Sequence, residues 1–195
     1  MMRRTSRKSG LLAACGILAT MAAWGQAPAP EARPVQIKKI IPGKVATPQY
    51  QLLKGQTMAR TREWFQLVTQ YETAPDWMDE LTFTYYVLVR DTQKNAQTLF
   101  KGDVTYMTVQ KGKHMSDIYL HPSTIARYGQ IQATAVLVTF RGQLVAVESQ
   151  PASQQRWWEQ MTPTEGFLLS RMDTPFAMMN FDDYEAIKPR WAGGR

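Results

Sequence analysis

The residues of this chain that could do catalytic chemistry are few. The two histidines, His114 and His121, lie seven positions apart, and no G-x-S-x-G or H-E-x-x-H motif accompanies them. The single cysteine, Cys15, lies in an N-terminal segment that we expect to be removed. The mature chain would then lack a thiol nucleophile and a cysteine-based zinc site. The sequence therefore predicts no enzymatic activity, no bound metal and no cofactor.

A compact acidic cluster near the C-terminus is a second group of residues that could bind a ligand. It contains Asp182, Asp183 and Glu185. Their spacing differs from the D-x-D-x-D-G pattern that wraps calcium, and the chain has no phosphate-binding loop or dinucleotide fingerprint. We therefore interpret the cluster as a solvated turn.

Tryptophans provide the remaining candidate for binding. Trp157 and Trp158 follow Arg156, and Trp77 lies further upstream. A tryptophan ring combines a large apolar face with a polar edge, which suits stacking on sugars. One hypothesis is therefore a carbohydrate-binding module that uses these four residues. The alternative is that the tandem tryptophans cover one end of the hydrophobic core.

The charge of the chain argues against nucleic-acid binding. Its 23 Lys and Arg against 16 Asp and Glu give a net charge of +7, but four of those cations lie within residues 1–25. Without that segment, 19 cations face 16 anions, which leaves +3. The remaining cations are scattered, with Lys38 and Lys39 as the densest pair, whereas a nucleic-acid footprint is a stripe or cluster.

Residues 1–25 have the pattern of a secretory signal peptide. A basic start precedes an uncharged run over residues 10–25, with small residues at Ala23 and Gly25. The apolar part is shorter than the roughly 20 residues that span a bilayer, so we expect no permanent membrane span after cleavage. We expect Sec-type export to the periplasm, the outer-membrane surface or the extracellular space. Lipidation at Cys15 is the alternative, and it would leave only residues 10–14 as the apolar region.

The elements that would position these residues have an all-β pattern. Residues 26–34, rich in proline and alanine, predict an extended leader. Between residues 35 and 150, stretches with a period of two, clearest over residues 81–90, alternate with turn signals. These signals include Pro42-Gly43, Ala74-Pro75-Asp76 and Lys111-Gly112-Lys113. Seven or eight short strands of this kind predict an immunoglobulin-like β-sandwich over residues 35–150, with a closed barrel as the alternative.

Two local patterns define the second half of this domain. Residues 121–129 begin with His-Pro-Ser-Thr and end with Tyr-Gly, which predicts one short helical turn. Residues 131–140 and 143–150 flank Arg141-Gly142 and predict a hairpin whose first strand, apolar on both faces, is central. A further short pairing is expected within residues 49–54.

The last part of the chain differs in composition. Residues 151–188 predict a short helical or irregular extension packed on the sandwich, and residues 189–195 predict a frayed tail. Thr162-Pro163-Thr164-Glu165 matches a capping box, which predicts a helix over residues 163–172. Residues 176–181 are apolar and need burial, either on the sandwich or on a partner protein.

The central stretch also resembles a known family, with a similarity that spans most of residues 35–188. The residues that carry the resemblance are Trp64, Tyr71…Pro75-x-Trp77, Leu81-Thr82-Phe83-x-Tyr85-Tyr86-Val87-Leu88, Leu99-Phe100-x-Gly102-x-Val104, Tyr128-Gly129, Trp157-Trp158 and Thr174-Pro175-Phe176-Ala177. They are similar to the core pattern of small exported immunoglobulin-like bacterial proteins that are encoded beside type IV pilus machinery and described as pilus-like or pilus-associated.

This resemblance implies a role outside the cytoplasm without enzymatic activity. Its expected partners are envelope or pilus-assembly proteins, with glycans as the alternative, and it supplies no ligand residues to transfer. One departure matters, because a pilin keeps a long apolar N-terminal helix that polymerises in the filament core. Here the apolar run lies inside the removable signal peptide. We therefore expect an accessory, assembly or surface component rather than the major filament subunit.

Overall fold

The computed structural model describes residues 33–49 and 61–189. Its strands are β1 (Val35–Ala46), β2 (Glu63–Asp91), β3 (Ala96–Leu120), β4 (Gln130–Phe140), β5 (Gln143–Gln150), β6 (Thr164–Glu165), β7 (Leu168–Ser170) and β8 (Ala186–Ile187). Helix α1 (Pro122–Tyr128) lies between β3 and β4, and 3-10 turns occur at Trp157–Glu159, Arg171–Asp173 and Phe181–Asp183. The predicted all-β fold is confirmed.

Several predictions concern residues outside the described part of the chain. These are the signal peptide over residues 1–25 with Cys15, most of the leader over residues 26–34 and most of the pairing over residues 49–54. All but the first residue of the tail predicted over residues 189–195 is outside it as well.

Two long strands connect every other strand. β2 and β3 form an antiparallel hairpin that extends from Phe65 opposite Leu120 to Asp91 opposite Ala96. β1 pairs with the first part of β2, and β4 pairs with its last part and carries β5 on the other side. β6, β7 and β8 pair with β3. The eight described strands thus belong to one hydrogen-bonded sheet.

The long hairpin bends, so that the sheet folds onto itself. Ser116 on β3 pairs with Thr69 on β2. If β2 were straight, Thr69 would lie about 50 Å from Tyr85, because each residue of a strand advances 3.2–3.4 Å. Yet the Tyr85 hydroxyl donates to Ser116 Oγ at 2.6 Å, and the rings of Tyr71 and Phe83 lie 4.7 Å apart. The two ends of the hairpin therefore face each other as the layers of a sandwich.

The core fills the space between these layers. Alternate residues of β2, from Leu81 to Val89, are fully buried, as their period of two predicts. They meet buried residues from the other end of the hairpin, namely Leu67, Tyr71, Ile118 and Leu120. β1 and β5, the outer strands of the two layers, lie against each other at one side.

The prediction of short strands is wrong at two positions, because the chain does not reverse at residues 74–76 or 111–113. Residues 63–91 form one strand, and so do residues 96–120. Pro75 is tolerated because it has no partner on a flanking strand. The pairing of β1 with β2 reaches only to Thr73, and the pairing of β4 with β2 begins only at Leu81. No flanking strand therefore needs the N–H group that proline lacks. The β2–β3 ladder also skips residues 74–76, which is where the hairpin bends.

Pro42 likewise fails to end β1, which continues to Ala46. Among the described residues β1 pairs only with β2, and an edge strand can accommodate a proline on its unpaired side.

The helical turn and the β4–β5 hairpin are confirmed. α1 ends at Gly129, whose φ is +103° and where any Cβ would overlap the Arg90 carbonyl oxygen.

The helix predicted over residues 163–172 is not formed. β6 and β7 instead pair with β3, and Gly166 between them has a φ of +86°. Isolated helices shorter than about 12 residues are marginal, whereas the edge of β3 offers backbone hydrogen bonds and apolar contact. Leu168 packs so closely that a Cβ at Gly102 would lie 2.6 Å from Leu168 Cβ. The immunoglobulin-like classification and the domain boundaries at residues 35, 150 and 188 stay predictions.

Removing a core ring should destabilise the fold strongly. Phe83 is fully buried between the rings of Tyr71 and Tyr106. We expect Phe83→Ala to lower the free energy of unfolding by about 3–5 kcal/mol, measured by urea unfolding. The matched control is Thr92→Ala in the exposed β2–β3 loop, which should cost less than about 0.5 kcal/mol. Equal urea midpoints for the two variants would contradict this account of the core.

The protein should also lose stability in alkaline solution. Burial raises the pKa of Tyr85 and Tyr106 well above the ordinary tyrosine value. A pKa raised in the folded state stabilises the fold fully below the unfolded value, about 10, and that contribution is lost as the pH rises towards the folded value. We expect the thermal unfolding midpoint to fall above about pH 10. Reversible titration of all tyrosines near that pH in the folded protein, followed by their ultraviolet absorbance, would contradict it.

Candidate functional site

A buried ion pair anchors the C-terminal segment to the sheet. Asp117 on β3 is completely buried and Arg171, directly after β7, is only 4% exposed. Arg171 Nη1 donates to Asp117 Oδ2 at 2.5 Å. The pairing of Ser170 with Ile118 brings the two residues together. Each charge requires the other, because a buried unpaired charge costs several kcal/mol.

Two polar side chains extend this pair into a network. The Tyr119 hydroxyl donates to Asp117 Oδ2 at 2.7 Å and accepts from Arg171 Nη1 at 2.9 Å. Gln66 Nε2 donates to Asp117 Oδ2 and to the Tyr119 hydroxyl oxygen. Burial and then the charge of Asp117 raise the pKa of Tyr119, so its hydroxyl keeps the proton that it donates. Burial alone would lower the pKa of Arg171, but Asp117, Tyr119 and Tyr184 together outweigh burial and raise it.

The same guanidinium fixes the path of the chain that follows. Arg171 Nη2 donates to the Met179 carbonyl oxygen, and the guanidinium carbon lies 3.9 Å from the centre of the Tyr184 ring. Phe176 adds an apolar anchor, since its ring stacks on Tyr119 at 4.7 Å between centroids. The Arg171 guanidinium and the Phe176 ring therefore hold residues 172–184 against β3.

This path leaves four large apolar side chains in solvent. Met172, Met178, Met179 and Phe181 are exposed, Met178 by 74% and Phe181 by 60%, and we call these four residues the C-terminal patch. Of the two alternatives for residues 176–181, burial on the sandwich is correct for Phe176 and wrong for Met178, Met179 and Phe181. Met172 and Phe181 line a cavity of about 370 Å³ together with Ala177, Tyr184 and Ile187. Exposed apolar side chains gathered in this way mark interaction sites.

The two histidines have structural contacts. His121 caps α1, because its Nδ1 accepts from the Ser123 backbone N–H at 3.1 Å. His114 Nε2 lies 2.7 Å from the Gln110 carbonyl oxygen and its Nδ1 lies 3.1 Å from Glu185 Oε1. The His114 ring therefore lies between the Gln110 carbonyl oxygen and the Glu185 carboxylate. Glu185 of the predicted acidic cluster is thus tied to β3.

The structure does not bring the four predicted sugar-binding residues together. Trp158 is only 4% exposed and stacks on Tyr86 at 6.2 Å, and the Trp157 ring meets it edge-on at 5.5 Å. Arg156 is exposed and pairs with Glu159. Trp77 is 58% exposed but lies nine residues along β2 from Tyr86, or about 30 Å. The carbohydrate hypothesis stays a prediction and depends mainly on Trp77.

The sequence interpretation missed the residues that build this surface. Asp117 directly precedes the apolar residues 118–120 at the end of β3, and Arg171 directly follows the mostly buried β7, so each breaks the pattern of its neighbourhood. A lone acid and a lone base at such positions indicate a pair, because charged residues are almost never fully buried unless they are paired. That signal was available, although it does not specify which charges meet.

Comparison with known proteins identifies the family. A model of a pilus-associated protein family matches residues 26–190, which is most of the chain. The chain therefore belongs to this pilus-associated family, which is not a known enzyme family. A comparison with curated proteins gives no significant match.

Solved structures share the fold. Four chains match, among them the crystal structure of a protein from Akkermansia muciniphila with a TM-score of 0.70 and 22% sequence identity. The alignment covers 80% of this chain and 93% of that one. An identity this low shows a common fold alone.

In the described part of the chain, no helix has the length and apolarity to cross a membrane, and no three His, Cys, Asp or Glu residues are grouped as metal ligands.

Breaking the buried pair should destabilise the protein and release the patch. Arg171→Met leaves Asp117 buried without its partner, so we expect a loss of about 3–5 kcal/mol in urea unfolding. We also expect faster chymotrypsin cleavage after Phe181. The control is Lys101→Met, which breaks an exposed pair with Glu165 at 3.0 Å and should cost at most about 1 kcal/mol. Equal stability and equal cleavage rates of the two variants would show that the pair does not anchor the segment.

Proposed function

We propose that this protein is a non-enzymatic, exported cell-envelope protein that serves type IV pilus assembly or surface adhesion by binding other proteins. Membership of the pilus-associated family supports the setting. The observation that carries the binding role is the C-terminal patch, where four large apolar side chains face solvent on a segment that a buried ion pair holds in place.

The arrangement of the patch suits binding to a protein. Interface cores are enriched in methionine and aromatic residues, and the patch contains three methionines and Phe181. Its backbone is held by Arg171, which donates to the Met179 carbonyl, so a partner would not have to order it. A surface that is already ordered loses less conformational entropy on binding, which favours affinity.

An enzymatic role has little support from the described residues. His114 and His121 are both engaged, one with Gln110 and Glu185 and the other with the start of α1. The Thr73 hydroxyl near His114 already donates to the Gln110 carbonyl oxygen at 2.7 Å. The Ser123 hydroxyl lies 2.6 Å from His121 Nδ1, but the same Nδ1 accepts from the Ser123 backbone N–H, which is the contact of a helix cap.

The proposal also includes an accessory role rather than that of the major filament subunit. A subunit that polymerises through an apolar N-terminal helix has to keep that helix, whereas we expect residues 1–25 to be removed as a signal peptide. The folded domain would then act through its surface.

Site-specific crosslinking in the native host tests this function. A photoreactive phenylalanine analogue at Phe181 should form adducts with pilus-assembly or pilus-surface proteins, identified by mass spectrometry. The matched control carries the analogue at Trp77, which is equally exposed but on β2. Adducts from position 181 that contain no pilus component, or that equal those from position 77, would refute the proposal.

A further inference from the structure

We propose that the C-terminal patch binds a protein segment in which an apolar side chain is flanked by lysine or arginine. This inference depends on the proposed function and specifies the chemistry of the partner. The apolar half of the argument is the cavity between Met172 and Phe181, which is large enough to hold an aromatic side chain and is lined by Ala177 and Ile187. An apolar anchor placed there would cover the exposed rim of the cavity.

The charge around the patch supplies the other half. Residues 172–187 contain Asp173, Asp182, Asp183 and Glu185 but no lysine or arginine, on a chain whose net charge is +7. Asp182 and Asp183 are exposed, and none of the ion pairs of the described residues includes them. The C-terminal patch therefore lies within an acidic segment of a chain whose net charge is positive, +3 without residues 1–25.

Nearby cations do not cancel this charge. Lys38 and Lys113 line the cavity of about 900 Å³ that borders Asp182 and Asp183, but Lys38 is paired with Glu72 at 2.9 Å. Among the described residues that line this cavity, Lys113 is then the one unpaired cation facing two exposed carboxylates. A partner with lysine or arginine beside its apolar anchor would meet complementary charge, which favours association and orients the segment.

The same charges disfavour two other occupants. A second copy bound through the same patch would place like carboxylates opposite each other, because a two-fold interface is self-complementary. An anionic lipid surface attracts basic segments and would repel Asp182 and Asp183. The methionines add tolerance, since their flexible side chains adapt to anchors of different shape. The partner is thus defined by its pattern of charge and apolarity.

Fluorescence anisotropy with two synthetic peptides tests this inference on the folded protein. One peptide has a central Phe-Leu pair between lysines, and the other has glutamates in place of those lysines. We expect the lysine peptide to bind about tenfold more tightly, and added salt should reduce that difference. The double variant D182N/D183N should lower the preference to about threefold or less. Phe181→Ser should weaken both complexes, and Trp77→Ala should change neither.

Other outcomes would overturn the inference. Equal binding of both peptides, or an unchanged preference in D182N/D183N, would remove the charge argument, while pilus-protein adducts at position 181 would still support the proposed function. A concentration-dependent dimer abolished by Phe181→Ser would identify a second copy as the occupant. Binding to phosphatidylserine vesicles would identify a membrane. Circular dichroism verifies folding, and Met178→Ser, altered at the most exposed position of the patch, replaces Phe181→Ser if that variant unfolds.

Discussion

The buried pair of Asp117 and Arg171 is the constraint on which the segment after β5 depends. Asp117 lies near the end of the long strand β3 and is completely buried, so its charge has to be met from within the protein. Arg171 meets it from a segment 54 residues further along the chain. Because neither charge is stable when buried without the other, the pair binds the segment that contains Arg171 to the sandwich. The surface that faces outward from that segment inherits this rigidity.

Much of the fold follows from local patterns that the sequence displays. The alternation over residues 81–90, the Gly142 hairpin and the short helix before Gly129 each depend on neighbouring residues, and each was predicted correctly. The turns predicted at residues 74–76 and 111–113 were wrong for a reason that lies elsewhere in the sheet. Whether Pro75 ends a strand depends on whether a neighbouring strand needs a backbone N–H group at that position. Neither β1 nor β4 pairs with β2 there.

The candidate site was harder to predict, because its parts are distant in the sequence. Trp157 and Trp158 form a conspicuous pair in the sequence, yet Trp158 packs on the outer face of the sheet against Tyr86 and Leu99. The residues that matter are instead a solitary acid, a solitary base and an apolar run that looked like core. Phe176 is buried and Phe181 is exposed although five positions separate them. Only the path imposed by Arg171 distinguishes the two.

The bend in the β2–β3 hairpin has a mechanical consequence. Val35, where the described domain begins, pairs with Thr73, and the Thr73 hydroxyl lies 3.3 Å from His114 Nε2. The same imidazole contacts Glu185, just before the last described strand. The two ends of the domain are thus neighbours, separated by a threonine and a histidine. Tension applied to these two ends would act first on the contacts among Val35, Thr73, His114 and Glu185.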